Sequence, residues 1–430
     1  MYNDTIIVKR AVFSKLVEHL DAKEATVLLG PRQVGKTTLM KALQKHLIEV
    51  KKIVESNIFF FNLDILGDQE MFESQEKFIT FLRERSKNDF IYVFIDEAQK
   101  ITEAGVFIKG VYDMNLPLKL VLSGSSSLEI KNKLGEPLTG RKKVFTILPF
   151  SFTEFLDYKE EGFQKNIMKA DLATADEKYK INSYLNEYLV YGGYPRVVTE
   201  KNESRKKELL EEIYSSYIEK DIAGFLKIKE PLAFSNLIKL LAIQNGQLCN
   251  VSNISKALNL NQRTVEKYLF YLEQTFVVKK LPPFFSNAKK ELVKMPKVYF
   301  FDTGLRNLLA SDFLELEKRK DRGGLLENFA YNEMAKNLGV ADRINFWRNK
   351  SGAEVDFVVR KGAEIVPFEI KTKISEPKIE ASLKTFLELY TIKMAYILFG
   401  EGKSGRYKKM GANISFMPIY KVTDKKILTS

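Results

Sequence analysis

Four short apolar runs punctuate the first third of the chain: residues 25–30 (ATVLLG), 58–64 (IFFFNLD), 90–97 (FIYVFIDE) and 118–125 (LKLVLSGS). Each is short, apolar and bounded by turn or polar residues, the pattern of buried parallel strands. Stretches with helical spacing lie between them, so residues 1–150 predict an α/β fold around a parallel sheet. Residues 151–230 read as helices, interrupted by the turn-forming run Tyr191-Gly192-Gly193-Tyr194-Pro195. Residues 231–285 read as a helical bundle ending in a short hairpin-like stretch. Residues 286–430 return to mixed α/β texture, with a helix over 324–337 and strands around INFWRN, EVDFVVR and IVPFEIK. The pattern predicts four regions with these boundaries.

Within the third region, Ile254, Ala257, Leu258 and Leu260 form one apolar face, and Val265, Leu269 and Leu272 form another. Asn261 stands where a second helix needs an N-cap. Two helices joined by the turn Asn259-Leu260-Asn261, then an extended stretch from Phe276 to Leu281, make a winged helix-turn-helix pattern. The polar face of the second helix offers Gln262, Arg263, Glu266 and Lys267. Gln and Arg suit base edges in a major groove. Glu266 opposes phosphate, so a DNA interface and a protein interface both remain open for this face.

Composition narrows the class. Of 430 residues, 45% are hydrophobic, and 31 Phe with 19 Tyr exclude a disordered chain. No run of about 18 apolar residues exists to cross a membrane. The start, MYNDTIIVKRAVF, lacks a basic-then-apolar signal pattern, which predicts a cytoplasmic protein. A single Cys, Cys249, excludes an internal disulfide and a thiolate zinc site; two His, His19 and His46, argue against a His-rich metal centre. The net charge is +13, and residues 341–430 carry 17 basic against 10 acidic residues, over half of the excess. That surplus fits an anionic partner or a solubility setting.

The first chemical motif is Gly30-Pro31-Arg32-Gln33-Val34-Gly35-Lys36-Thr37, followed by Thr38, between a strand and a helix. It fits the phosphate-binding loop G-x-x-x-x-G-K-[ST] without a mismatch. The backbone N–H groups of such a loop wrap phosphates, and the helix that follows begins with unpaired donors. Lys36 is placed to bridge the β- and γ-phosphates of ATP, and the Thr37 hydroxyl to hold Mg²⁺. Asp96 and Glu97 end an apolar strand, where parallel sheets of this kind face their ligand. Asp96 is the expected Mg²⁺ partner and Glu97 the residue that polarises the attacking water. The strand end Ser123-Gly124-Ser125 brings a hydroxyl toward the γ-phosphate, Ser125 being the preferred candidate over Ser123.

These motifs, with LTGRKKVFTILPFSFTEFL and YGGYPRVV after them, resemble the AAA+ ATPases that carry a DUF4143 C-terminal domain. The resemblance spans nearly the whole chain. It implies a P-loop AAA+ parallel sheet, a helical and winged-helix middle region, and a C-terminal restriction-endonuclease-like α/β domain. It also implies homo-oligomeric contacts in which an arginine of a neighbouring subunit reaches the γ-phosphate. Arg141 is the position that takes this role, the alternative being a surface basic residue. Arg196 is a second candidate for nucleotide contact.

In the last region Glu327 lies on the expected helix, Asp356 in SGAEVDFVVR, and Glu369 and Lys371 in VPFEIKTK. Residues two apart on a strand share a face, so Glu369 and Lys371 project together. Two carboxylates suit Mg²⁺, and a neighbouring lysine helps position a water for phosphodiester attack. The set resembles the PD-(D/E)xK nuclease core, with Asp356, Glu369 and Lys371 as D, E and K and Glu327 as its helix acid, although no Pro-Asp is present: the sequence there reads Glu354-Val355-Asp356. Two functions stay open: nucleotide-dependent action on nucleic acid, and a nucleotide-dependent protein switch whose nuclease-like domain is silent. Trp347, Tyr191 and Tyr194 are expected in packing, and Asp302 or Thr303 as a helix cap.

Overall fold

The computed structural model describes residues 9–87, 89–124, 138–163, 174–216, 228, 230–285, 294–339 and 341–429. The chain packs as two compact units, Met1–Leu148 with Gln274–Phe276, and Pro149–Glu273 with Val277–Ser430.

The first unit contains α1 (Phe13–Glu18), β1 (Ala25–Leu29), α2 (Lys36–Glu49), β2 (Ile58–Asn62), α3 (Leu66–Gln69), α4 (Gln75–Arg85), β3 (Ile91–Asp96), α5 (Ala104–Asp113), β4 (Leu118–Gly124) and β5 (Lys142–Thr146). Its strands are all parallel, in the order β2-β3-β4-β1-β5. β1 and β3 are buried at every position, which is why they stand out as unbroken apolar runs. β5 was not foreseen. It lies at the sheet edge with Phe145 buried and Lys143, Val144 and Thr146 exposed, so its sequence reads as a charged surface. Val27, Val93, Ile95, Leu120 and Leu122 meet Phe78 and Leu82 of α4 and Phe107 and Ile108 of α5 in one core. Because the strands run the same way, the loop after β1 and the ends of β3 and β4 open on a single edge.

The second unit contains α6 (Phe152–Lys159), α7 (Ala175–Tyr191), α8 (Pro195–Thr199), α9 (Glu203–Ile213), α10 (Pro231–Ile243), α11 (Val251–Ala257), α12 (Gln262–Gln274), β6 (Val278–Leu281), β7 (Lys297–Phe300), α13 (Thr303–Leu309), α14 (Arg322–Asn337), β8 (Arg343–Arg348), β9 (Glu354–Lys361), β10 (Glu364–Ile374), α15 (Ala381–Leu389), β11 (Met394–Gly402), β12 (Gly405–Lys409), β13 (Ala412–Pro418) and α16 (Lys425–Thr429). Ser151 with Glu154, and Thr174 with Glu177, form capping boxes that start α6 and α7. Asn261 caps α12 by accepting from the Thr264 N–H at 2.7 Å. Ala257 is exposed rather than part of an apolar face, because α11 ends there and turns Ile254 and Ser255 inward instead. β6 closes no local hairpin; it pairs antiparallel with the distant β7.

Asp302 caps α13 through the Leu305 N–H at 2.9 Å and also accepts from Gly193 N–H at 2.7 Å. This ties the Tyr191–Pro195 turn to the start of α13, with Tyr191 and Tyr194 buried. The larger sheet has the order β12-β13-β11-β10-β9-β8. β8, β9 and β10 are antiparallel neighbours, whereas β10, β11 and β13 run parallel. α15 covers one face through Leu383 and Phe386 against Trp347, Val358, Ile397 and Phe416. Among the described residues, no helix is long and apolar enough to cross a membrane.

Candidate functional site

The loop at residues 30–35 leaves β1 and enters α2. Gly35 takes a left-handed φ of 89° as the α2 N-cap, and Gln33 is left-handed as well. Gly30 passes so close to the backbone that a Cβ there would meet the Ile147 carbonyl oxygen at 1.9 Å. The buried Lys36 ammonium donates to the carbonyls of Gly30 and Pro31, each at 2.8 Å. Burial pulls its pKa from the usual value down to about 8, against the opposing charges of Glu97 and Asp96. Thr37 and Thr38 occupy the first turn of α2, and the Thr37 hydroxyl donates to Asp96 Oδ2 at 2.6 Å.

Asp96 is 2% exposed at the end of β3. Its Oδ1 accepts from the buried Ser123 hydroxyl, which itself accepts from the Glu97 N–H at 3.0 Å. Glu97 sits just past the strand with a left-handed φ of 57°, its carboxylate accepting from the Gln99 side-chain amide. Thus Lys36, Thr37, Asp96 and Glu97 meet at the carboxyl edge of the sheet. Ser125, the preferred hydroxyl, lies outside the described residues. The serine seen beside Asp96 is Ser123, and the pairing of Ile95 with Leu122 explains why: the next residues along the two strands stand level.

Arg10 is a further residue that no motif pointed to. Its guanidinium donates to the carbonyl of Val34 inside the loop at 2.9 Å and to that of Leu148 at 2.7 Å. Arg141 pairs with Asp113 of the same chain at 2.8 Å and is one-third exposed. Arg196, in the second unit, pairs with Glu212 at 3.3 Å.

The C-terminal candidates converge on β9, β10 and α14. Phe357 pairs with Phe368, which sets Asp356 beside Glu369 across antiparallel strands. Asp356 Oδ2 accepts from the Ile370 N–H at 2.7 Å. Glu369 is 3% exposed, and its Oε1 is buried without a hydrogen-bond partner. Burial, then the Asp356 charge, pushes the Glu369 carboxyl well above its ordinary range. Lys371 lies 3.6 Å from Glu369 but 2.7 Å from Glu380. Burial lowers its pKa, and those two carboxylates outweigh that and leave it raised. A basin of about 160 Å³ opens here, lined by Glu369, Lys371, Lys373, Lys378 and Glu380.

Glu327 is held differently. Its Oε2 accepts from the Tyr299 hydroxyl at 2.7 Å and lies 3.5 Å from Lys297 Nζ. Burial and then the Asp356 charge push its pKa up to about 7, with Lys297 and Tyr299 opposing. Lys297 and Tyr299 come from β7, whose sequence KVYF reads as an ordinary buried strand. Among the described residues, no group of three or more His, Cys, Asp or Glu side chains converges as a metal site would. The fit to a cation is therefore partial: Asp356 and the orphaned Glu369 oxygen suit one, while Glu327 already has cationic and hydroxyl partners.

On the exposed face of α12, Asn261, Gln262, Arg263, Thr264 and Lys267 form an open polar surface. Glu266 is exposed on the same helix.

Comparison with known proteins divides the chain in three. Residues 22–156 match the model of an AAA domain, residues 182–319 a domain of unknown function (DUF8612), and residues 322–422 a domain of unknown function (DUF4143). An uncharacterized protein of Haemophilus influenzae is 28% identical over 378 residues, 86% of this chain and 88% of its own. One of Mycobacterium tuberculosis is 26% identical over 401 residues, 92% of this chain and 81% of its own. Among solved structures, the Aeropyrum pernix ORC2 protein in its ADP form is 13% identical with a TM-score of 0.36, over 64% of this chain and 87% of that one. The ORC1 protein of the same organism, in complex with DNA, is 13% identical with a TM-score of 0.27, over 72% and 95%. The first unit is an α/β fold around a parallel sheet, within which residues 22–156 are similar to an AAA domain, and residues 322–422, similar to DUF4143, contain the separate C-terminal sheet.

Proposed function

We propose that the chain is an AAA+ ATPase that binds Mg·ATP at residues 30–38, hydrolyses it, and uses its nucleotide state to govern a C-terminal region that binds or acts on nucleic acid. The observation that carries this is the meeting of Lys36, Thr37, Asp96 and Glu97 at one edge of a parallel sheet. The reading assigns residues 1–150 to the ATPase core, 151–230 to its helical completion, 231–285 to a winged helix and 286–430 to a nuclease-like domain.

The hydroxyl of Thr37 and the carboxylate of Asp96 are oxygen donors of the kind Mg²⁺ prefers, and they already lie within bonding reach of one another. Mg²⁺ held there would offset charge on the phosphates. Lys36, exchanging its two carbonyl partners for phosphate oxygens, would neutralise the β- and γ-phosphates. Glu97, freed from Gln99, would orient the attacking water and accept its proton. Ser123 would fix Asp96 and the Glu97 backbone, and Arg141 of a neighbouring subunit is the candidate for the γ-phosphate.

At the C-terminal site, Asp356 and Glu369 would hold a cation and Lys371 would face a phosphodiester, with the orphaned Glu369 oxygen as support. A second reading, a nucleotide-dependent protein switch with a silent nuclease-like domain, is favoured by the pairing of Lys371 with Glu380. ATP turnover by wild type and Glu97→Gln, with and without DNA and over a range of protein concentrations, tests both. Turnover that DNA stimulates and Glu97→Gln abolishes supports the first reading. Turnover indifferent to DNA moves the partner to protein, and no turnover at any concentration removes the ATPase.

A further inference from the structure

The far edge of the larger sheet gathers cations without acids. No Asp or Glu stands between Glu401 and Asp424, and Lys403, Arg406, Lys408 and Lys409 fall in that interval. They follow β12, the outer strand, from the turn before it to its last residue, and all four are exposed. Lys393 joins them from another strand. Met394 of β11 pairs with Asn413 of β13, and Asn413 pairs with Lys408, so the exposed Lys393 lies at the same end of the sheet as Lys408 and Lys409.

Other basic side chains of this region are answered by acids: Arg348 by Glu354, Lys371 by Glu380, and Lys373 by Glu401. Lys393, Lys403, Arg406, Lys408 and Lys409 have no ion-pair or side-chain hydrogen-bond partner among the described residues. Lysine on an edge strand discourages pairing with another chain, which accounts for some of these charges. It does not account for Lys393, two strands inside the edge, or for Lys403 on the turn.

The row also carries an aromatic. Tyr407 is 45% exposed and stands edge-on to the buried Phe416, with ring centroids 5.4 Å apart. Alternation puts Tyr407 and Lys409 on one face of β12, and Arg406 and Lys408 on the other. Side chains two apart on such a strand stand ~6.8 Å from each other, close to the step between successive phosphates of an extended nucleic-acid strand. A polymer lying along the edge reaches both faces. An anionic membrane would need a broader apolar surface to enter than Tyr407 and Met410 offer.

We propose that this edge is a track for single-stranded nucleic acid, with phosphates on Arg406, Lys408, Lys409 and Lys393 and one base stacked on Tyr407. It deepens, and rests on, the reading of the C-terminal region as one that meets nucleic acid. The contact lies three strands away from the basin on β10.

Fluorescence anisotropy of a labelled oligothymidylate of about 16 nucleotides, titrated with the full chain over a salt series with and without ATP, tests it. Wild type should bind, with an affinity that falls as salt rises. The triple change Arg406→Gln, Lys408→Gln and Lys409→Gln should shallow the log–log slope by about 2, and Lys393→Gln alone by about 0.7. Tyr407→Ala should weaken binding about tenfold with the slope unchanged, and Tyr407→Phe should restore it. Wild-type binding that these variants leave unaltered overturns the proposal and leaves nucleic acid as the partner of another surface. No binding at any salt overturns both. A charge effect without a Tyr407→Ala effect removes the stacked base and overturns the single-strand assignment. Should Tyr407→Ala fail to fold, equal affinity for a duplex of the same length is the overturning result in its place. Phosphatidylserine vesicles that capture wild type but not the triple variant, while the oligonucleotide stays unbound, make the edge a membrane contact and overturn the proposal.

Discussion

Lys36 shows how one residue ties the fold to chemistry. In the nucleotide-free protein its pKa is lowered to about 8, so its charge disappears as pH rises through 8. Phosphate oxygens would favour the charged form. ATP binding at pH 8.5 should therefore take up a proton, seen calorimetrically as a heat that varies with buffer ionisation enthalpy. At pH 6.5 that dependence on Lys36 should vanish, and Lys36→Met should abolish it at pH 8.5. His19 carries a stability prediction of its own. Burial first, then the charges of Lys119 and Lys143, lower its pKa from 6.5 to about 4, against the opposing charge of Glu24. The unfolded chain binds that proton more readily, so stability is lost as pH falls from about 6.5 toward 4. His19→Gln should flatten that part of the melting-temperature profile; an equally steep profile would assign the loss to other groups. At this scale the phosphate loop, Asp96 and Glu97 were legible because their spacing and their place at the ends of apolar strands form a recognisable pattern. Arg10 was not, because a side chain that donates to loop carbonyls needs no neighbours of fixed type. If it braces the loop, Arg10→Ala should raise the dissociation constant for ATP about tenfold, in line with loss of ~1.5 kcal/mol of charged hydrogen bonding. The maximal turnover rate should stay near wild type.

Elements were legible where an apolar run stood out against polar flanks. β1, β3 and the paired strands β9 and β10 each announce themselves by apolar content, whereas β5 and β12 expose most of their residues. β11 and β13 do carry apolar cores, as MAYILF and ISFM, but no motif there drew a reading. The turn at Gly192 was visible as a glycine pair, yet its reason was not. Gly192 has a φ of +77°, and a Cβ there would meet Asp302 Oδ1 at 2.2 Å. Gly192→Ala must therefore strain the backbone and displace the α13 cap together. Loss of the cap alone costs ~1 kcal/mol, and the Gly193 N–H left unpaired costs ~1–3 kcal/mol more. Urea unfolding should place Gly192→Ala at least ~2 kcal/mol below wild type, with Asp302→Ala similar. Asn261→Ala, which removes only the exposed α12 cap, should cost ~1 kcal/mol.

Across the whole molecule, net charge is the weakest guide until it is placed on surfaces. The +13 balance would suit any soluble basic protein. Two features are more specific: the basin edged by Lys371, Lys373 and Lys378, and the exposed α12 face with Arg263 and Lys267. Not all of this charge is available to a partner, since Lys373 pairs with Glu401 at 2.8 Å and Arg348 with Glu354 at 3.3 Å. If duplex DNA docks on α12, log affinity should fall with log salt, and each phosphate contact should contribute about 0.9 to the slope. Arg263→Ala and Lys267→Ala would then each shallow the slope by about one unit, whereas Lys373→Ala and Lys378→Ala would leave it unchanged. A nucleic acid held by the C-terminal basin would reverse that assignment, and the same four variants would report it. Slopes indifferent to all four would mean that DNA is held elsewhere or not at all. The exposed Glu266 would then weigh for a protein partner on α12, because a carboxylate among Arg263 and Lys267 suits a surface of mixed charge better than a row of phosphates.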